Sequence, residues 1–109
     1  MNVRLYIWQR ATAALMAPLV LGHIVLIFYA TRQGLTAADI LSRTRGSIVW
    51  AAYYGLFVAA VSIHAGIGVR NILVEWSPLT DRRAGQLAVA FGIVLAALGL
   101  RAVAAVVLS

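Results

Sequence analysis

Two histidines lie inside apolar stretches of the sequence, where an ionisable side chain is costly and needs a partner. No charged residue lies between Arg10 and Arg32, the stretch that holds His23, and His64 lies in an apolar run that begins near Ile48. An imidazole in this setting often forms a hydrogen bond between helices. A neutral imidazole is also a good axial ligand for haem iron, and helical bundles commonly hold that cofactor. Without acidic partners, the two histidines are less suited to a proton relay.

Small residues surround His64 along the sequence. Gly68 follows one helical turn later, and Gly66 and Ala60 are close by. We expect these residues to leave room for a flat macrocycle beside the imidazole.

Two arginines lie near the ends of the apolar runs that hold the histidines. Arg10 and Arg70 are predicted to lie towards the N-terminal face, where each could pair with a haem propionate or a quinone oxygen. The alternative is that each side chain extends to the lipid headgroups.

Three apolar runs, at about residues 11–30, 48–74 and 84–108, are candidates to position these side chains. About 20 apolar residues in a helix cross a hydrocarbon core of roughly 30 Å. The chain is 63% hydrophobic and only 11% charged, so it cannot cover itself with polar surface for water. We predict an all-α integral membrane protein of one domain, residues 1–109, whose three transmembrane helices form half of a haem-binding bundle.

The charge pattern and the absence of cysteine exclude several functions. All nine basic residues are arginines, and most lie at the edges of the apolar runs rather than in a stripe. That distribution is typical of membrane spans and argues against nucleic-acid binding. Without cysteine, this chain alone cannot hold a disulfide, a thiolate zinc site or an iron–sulfur cluster.

The connections between the runs carry local signals for helix ends and orientation. Thr36 is a candidate helix cap in the first connection, and Glu75-Trp76-Ser77-Pro78 predicts a sharp stop after the second run. The positive-inside rule favours a cytoplasmic N-terminus, in a multi-pass protein of the inner (cytoplasmic) membrane. This orientation depends on the arginines at the two ends of the spans. Four lie on the side of the N-terminus and the second connection, Arg4, Arg10, Arg82 and Arg83, and three lie in the first connection, Arg32, Arg43 and Arg45.

Glycines recur every seven residues in the third run, at Gly85, Gly92 and Gly99, with Ala88 and Ala96 nearby. Small residues along one stripe let helix backbones approach closely, so this stripe predicts a helix-packing face.

The segment from Ile63 to Trp76, IHAGIGVRNILVEW, resembles the second span of succinate dehydrogenase membrane-anchor subunits. Their pattern is His-Ala-x-Ile-Gly followed by an acidic residue and an aromatic one. The larger cytochrome b subunit of the family has a related pattern, His-x-x-x-Gly-Ile-Arg-x-x-x-x-Asp. His64, Gly68, Val69, Arg70 and Glu75 fit it, and Arg10-Ala11-Thr12-Ala13 is similar to the family's Arg-Ala-Thr-Ala.

The resemblance implies a non-catalytic anchor subunit in a larger respiratory complex. A flavoprotein subunit oxidises succinate, and an iron–sulfur subunit passes the electrons to quinone where it meets two small membrane subunits. In the family, the histidine that corresponds to His64 binds haem b between those two membrane subunits. The usual tyrosine after the acidic residue hydrogen-bonds quinone. Here Trp76 can donate but not accept a hydrogen bond, so the resemblance leaves the quinone contact and quinone type open.

His23 is a candidate ligand of a second haem iron. Counting from the centres of the predicted spans, His23 and His64 differ in depth by roughly 8 Å. One haem held by both histidines is therefore disfavoured, because neighbouring helices pack only about 8–10 Å apart. Some members of the wider family hold a distal haem with a first-span histidine. The number of haems, one or two, stays open, and a partner chain would supply the opposite ligands.

The sequence therefore favours a membrane-anchor cytochrome b subunit of a succinate:quinone oxidoreductase or a fumarate reductase relative. Arg10, Arg70 and Trp76 are the candidates for the rim of its quinone pocket. Two alternatives remain: a small non-redox transporter or channel subunit that uses the intramembrane histidines, and a haem-free anchor in the same complex.

Overall fold

The chain folds into four α-helices and no strands within residues 3–109, the part that this computed structural model describes. They are α1 (Val3–Gln33), α2 (Ala37–Thr44), α3 (Ile48–Trp76) and α4 (Asp81–Val107). The helices α1, α3 and α4 are long and apolar enough to cross a membrane. The protein is an all-α membrane protein with three such helices, as predicted.

Helix α1 begins earlier than the apolar run predicted. It starts at Val3 rather than near residue 11, and it includes Arg4 and Arg10 in its first turns. At 1.5 Å per residue its 31 residues extend about 46 Å, which exceeds a hydrocarbon core of roughly 30 Å. Hydropathy marks where the apolar zone ends, whereas the helix continues into the interface because arginine is a good helix former.

Local capping explains where the other helices begin and end. Thr36 caps α2, as predicted, through a capping box in which Thr36 and Asp39 each bond the backbone of the other. Ser47 caps α3 by accepting from the N–H of Trp50. Helix α3 then ends at Trp76, immediately before the predicted Ser77-Pro78 stop.

Helix α3 lies at the centre of the packing and contacts both α1 and α4, while α2 packs on α4. Small residues bring α3 and α4 together: Ala84 and Ala88 are buried, and a Cβ on Gly92 would lie 3.4 Å from the carbonyl oxygen of Ser62. The predicted glycine stripe is thus a packing face, except that a Cβ on Gly85 would meet no atom within 4 Å.

Large apolar side chains cover the outer surface of the helices, among them Leu21, Phe28, Val89, Ile93 and Leu98. Such an apolar exterior suits lipid tails or neighbouring membrane subunits.

Candidate functional site

His64 lies half-buried in α3 and faces α1. Its Nδ1 lies 3.3 Å from the hydroxyl oxygen of Thr12, a residue with only 5% of its surface exposed. This side-chain contact links the third turn of α1 to the middle of α3. Farther along α1, the Leu19 carbonyl accepts from the hydroxyl of Tyr53 near the start of α3, so the two helices run antiparallel.

The small residues near His64 lie where α3 meets its neighbouring helices. Ala60 is buried, and Gly66 faces α4, since a Cβ there would lie 3.6 Å from the carbonyl oxygen of Ala88. Gly68 faces α1, with Gln9 Nε2 3.8 Å from the position of an added Cβ. Small residues at these sites let the helix backbones approach closely, and Gly66 also lines the cavity beside Arg70.

His23 lies near the other end of the bundle, packed edge-to-face against two aromatic rings. Its ring centroid is 6.0 Å from that of Tyr54 and 5.7 Å from that of Phe57. The Nδ1 atom is buried and has no hydrogen-bond partner among the described residues. His23 also lines a cavity of about 380 Å³ that α2, α3 and α4 enclose, with Thr44 and Gly99 in its wall.

The depth separation of the two histidines is larger than the roughly 8 Å obtained from the span centres. His64 contacts α1 at Thr12, and Thr12 precedes His23 by 23 − 12 = 11 residues. At 1.5 Å per residue, the two imidazoles are about 16 Å apart along the helix axis. The separation obtained from the span centres was too small because the register of α1 and α3 is set by how the two helices pack. The centres of their apolar runs do not lie at the same level. Two imidazoles at this separation cannot bind opposite faces of one haem.

Arg70 lines a cavity of about 680 Å³ that lies between α3, α4 and the start of α1. Its wall is mostly apolar, and polar side chains cluster at the end near Arg70, where Asp81, Arg82 and Gln86 also lie. Ser62 contributes to another part of the wall, and its buried hydroxyl oxygen has no hydrogen-bond partner within residues 3–109.

Arg10 and Trp76 lie at the same end of the molecule as Arg70 but do not line that cavity. Arg10 is exposed and stacks on Tyr6 of its own helix, with Nε donating to the Tyr6 hydroxyl at 3.1 Å. Trp76 is 83% exposed at the end of α3. The structure therefore brings these three candidates to one end of the bundle without gathering them into one pocket.

The sequence reasoning missed two polar residues on α1. Thr12 contacts His64, and Gln9 has a buried Oε1 that lacks a hydrogen-bond partner among the described residues, near the same level of α3. Thr12 could have been identified from its position inside the predicted apolar run, where a polar side chain is costly. Gln9 precedes that run, so hydropathy did not single it out.

Comparison with protein families gives a match to one family model. The model described as "Succinate dehydrogenase/Fumarate reductase transmembrane subunit" matches residues 1–99. No curated protein and no solved structure matches the chain. The match covers all of α1, α2 and α3 and most of α4. The chain therefore belongs to the family of succinate dehydrogenase/fumarate reductase transmembrane subunits, which work in the membrane together with the other subunits of that complex.

Proposed function

We propose that this chain is the cytochrome b anchor subunit of a succinate:quinone oxidoreductase or a close fumarate reductase relative. It docks the flavoprotein and iron–sulfur subunits, holds haem b through His64 and forms part of the quinone site. It contributes no residue to succinate oxidation itself, because the flavin and iron–sulfur clusters belong to the other subunits.

The position and hydrogen bonding of the His64 imidazole support this proposal most directly. The imidazole lies within the apolar span of α3, and its one hydrogen bond among the described residues uses Nδ1. The described residues contain no group of three or more histidine, cysteine, aspartate or glutamate side chains that could hold a free metal ion. His64 is therefore suited to iron only where a macrocycle supplies the other ligands, as haem does. Bound haem would supply one-electron redox chemistry at this level of the membrane.

The haem site on this chain is half of a site, since this chain offers one imidazole to the iron at the level of His64. A second membrane subunit would provide the opposite ligand and the other wall. The apolar outer surface of the helices suits both that subunit and the bilayer.

His23 is proposed as the ligand of a second haem, about 16 Å from the first along the helix axis. Two features support this role: the cavity of about 380 Å³ beside the imidazole, and a buried Nδ1 that lacks a partner. A buried polar atom without a partner is uncommon in folded proteins. The competing role is a structural imidazole that the aromatic rings of Tyr54 and Phe57 hold in place.

Arg70 is proposed at the rim of the quinone site. The cavity of about 680 Å³ has an apolar wall with polar groups at one end, which suits an apolar ring system with two polar oxygens. Arg10 and Trp76 lie at the same end, outside this cavity, and are proposed to contact quinone or a haem propionate where the partner subunits meet this chain.

The proposed orientation has the N-terminus in the cytoplasm and the chain in the inner (cytoplasmic) membrane. The arginines at the two ends of the bundle support it, by the positive-inside rule. Arg10, Arg70 and Trp76 then lie on the side where the soluble subunits dock.

A reduced-minus-oxidised absorption spectrum of the purified complex, with haem and flavin quantified, tests this function. We expect a b-type spectrum with copurified flavoprotein and iron–sulfur subunits. Haem equal to flavin would contradict the role of His23, whereas twice as much haem, halved by His23→Ala, would support it. Copurification without haem would select a haem-free anchor, and purification without either subunit or haem would favour the transporter class.

A further inference from the structure

Thr12 is a buried hydroxyl with three polar atoms around it. Its Oγ1 lies 2.7 Å from the carbonyl oxygen of Trp8, 3.1 Å from that of Gln9 and 3.3 Å from Nδ1 of His64. A threonine hydroxyl carries one hydrogen to donate and two lone pairs that accept. The three contacts therefore cannot all receive a hydrogen from Thr12.

The carbonyl oxygens decide the direction of these hydrogen bonds. A carbonyl can only accept, and the 2.7 Å separation from the Trp8 oxygen is normal for an O–H···O bond. The single hydrogen of Thr12 therefore points along its own helix, towards the Trp8 and Gln9 carbonyls. The lone pairs of Oγ1 remain for His64, so Nδ1 of His64 must be the donor in the contact between the helices.

This direction fixes the tautomer of the imidazole. With the proton on Nδ1, a neutral His64 has its free lone pair on Nε2, the nitrogen not engaged by Thr12. Histidines that bind metals almost always donate their other ring N–H to an acceptor, which orients the ring and raises its basicity.

We propose that Thr12 is the positioning residue of His64: its hydroxyl accepts from Nδ1, holds the ring against α1 and leaves Nε2 as the iron-binding nitrogen. This inference rests on the proposed haem ligation by His64. Thr12 does not contact the haem and acts only through the imidazole.

The test compares variants of the purified complex by redox titration of the haem. Thr12→Val has nearly the same shape as threonine but lacks the acceptor, so His64 becomes a weaker electron donor. Weaker donation stabilises ferric iron less, and the midpoint potential of that haem should move to a more positive value. Thr12→Ser keeps the acceptor and should stay near the wild-type potential.

The rate of haem transfer to excess apomyoglobin provides the second readout. Loss of an outer partner of a metal-binding histidine typically weakens metal binding about 10- to 100-fold, so we expect haem to leave Thr12→Val about 10- to 100-fold faster. Thr31→Val is the matched control, because Thr31 is an exposed residue of the same helix and, within the described part of the chain, its hydroxyl bonds only the Phe28 carbonyl. It should change neither readout.

The outcomes separate this inference from the proposed function. If Thr12→Val shows the wild-type potential and transfer rate while His64→Ala loses the haem, Thr12 has no positioning role and the haem assignment stands. If His64→Ala keeps a wild-type haem spectrum, the proposed function and this inference are both wrong. Should Thr12→Val not assemble, Thr12→Ala removes the same hydroxyl with a smaller side chain and is judged by the same two readouts.

Discussion

Replacing Gly99 by alanine would put a methyl group into a close contact between α3 and α4. The added Cβ would lie 2.6 Å from Cγ1 and 2.8 Å from Cγ2 of Val58, and 3.2 Å from its Cβ. These separations are too short for carbon atoms, and a β-branched valine in a helix has one strongly preferred rotamer and cannot turn aside easily. The helices must therefore move apart.

The change in the unfolding free energy of Gly99→Ala combines two opposing effects. Overpacking of this kind costs about 1–3 kcal/mol, whereas alanine in a helix interior is favoured over glycine by about 0.5–1 kcal/mol. Gly85→Ala is the matched control on the same helix, because a Cβ at Gly85 meets no atom within 4 Å. Since both variants share the helix-propensity term, the unfolding free energy of Gly99→Ala should be lower than that of Gly85→Ala by about 1–3 kcal/mol.

The assay is unfolding of the full chain in mild detergent by titration with sodium dodecyl sulfate, followed by circular dichroism. Val58→Ala removes both clashing methyl groups, so the double variant Val58→Ala/Gly99→Ala should show a favourable coupling of about 0.5–3 kcal/mol. Equal stability of Gly99→Ala and Gly85→Ala, or no coupling in the double variant, would refute the close packing of α3 on α4.

Three further predictions concern separate parts of the molecule. Trp76→Phe removes the indole N–H and should raise the KM for quinone by about 2- to 13-fold, which corresponds to the loss of one hydrogen bond. An unchanged KM would remove Trp76 from the quinone site. Tyr53→Phe removes the hydroxyl that donates to the Leu19 carbonyl, and should lower the unfolding free energy in detergent by about 0.6–1.7 kcal/mol. An unchanged unfolding free energy would contradict that hydrogen bond. The hydrogen bond from the Thr36 side chain, followed in size by the one from its backbone N–H, holds the pKa of Asp39 below its usual value of 3.8. The capping box is therefore intact at neutral pH and is lost as the pH falls through that lowered pKa. Thr36→Val should raise the pKa of Asp39 towards 3.8 in an NMR titration of the carboxyl carbon, and an unchanged pKa would show that the box does not form.

Local signals in the sequence predicted the spans and several helix ends. The second run, predicted at 48–74, is the helix Ile48–Trp76, because Pro78 lacks the N–H that would continue the helix and disfavours a helical conformation of the residue before it. Thr36 was identifiable as a cap from its residue type and position alone. The start of α1 was not predictable in this way, since a helix does not end where its apolar residues end.

The contact between Thr12 and His64 could not be predicted from the sequence. The two residues are 52 positions apart, and their meeting depends on the register of two packed helices. The same register makes the depth separation of His23 and His64 about 16 Å, rather than the roughly 8 Å obtained from the span centres. The contacts that the small residues around His64 make with α1 and α4 could not be predicted either, because glycine and alanine suit both helix packing and space for a cofactor.

The reduced-minus-oxidised spectrum of His64→Ala, beside a control variant in the same assembled complex, tests the central claim most directly. Ile72→Ala is that control, because Ile72 lies on the same helix α3 and has an exposed, apolar side chain that does not line the cavity beside Arg70. We predict that His64→Ala loses or alters the b-type signal of one haem while flavin content is retained, and that Ile72→Ala keeps the wild-type spectrum. An unaltered haem signal in His64→Ala, at the wild-type ratio of haem to flavin, would contradict haem ligation by this residue.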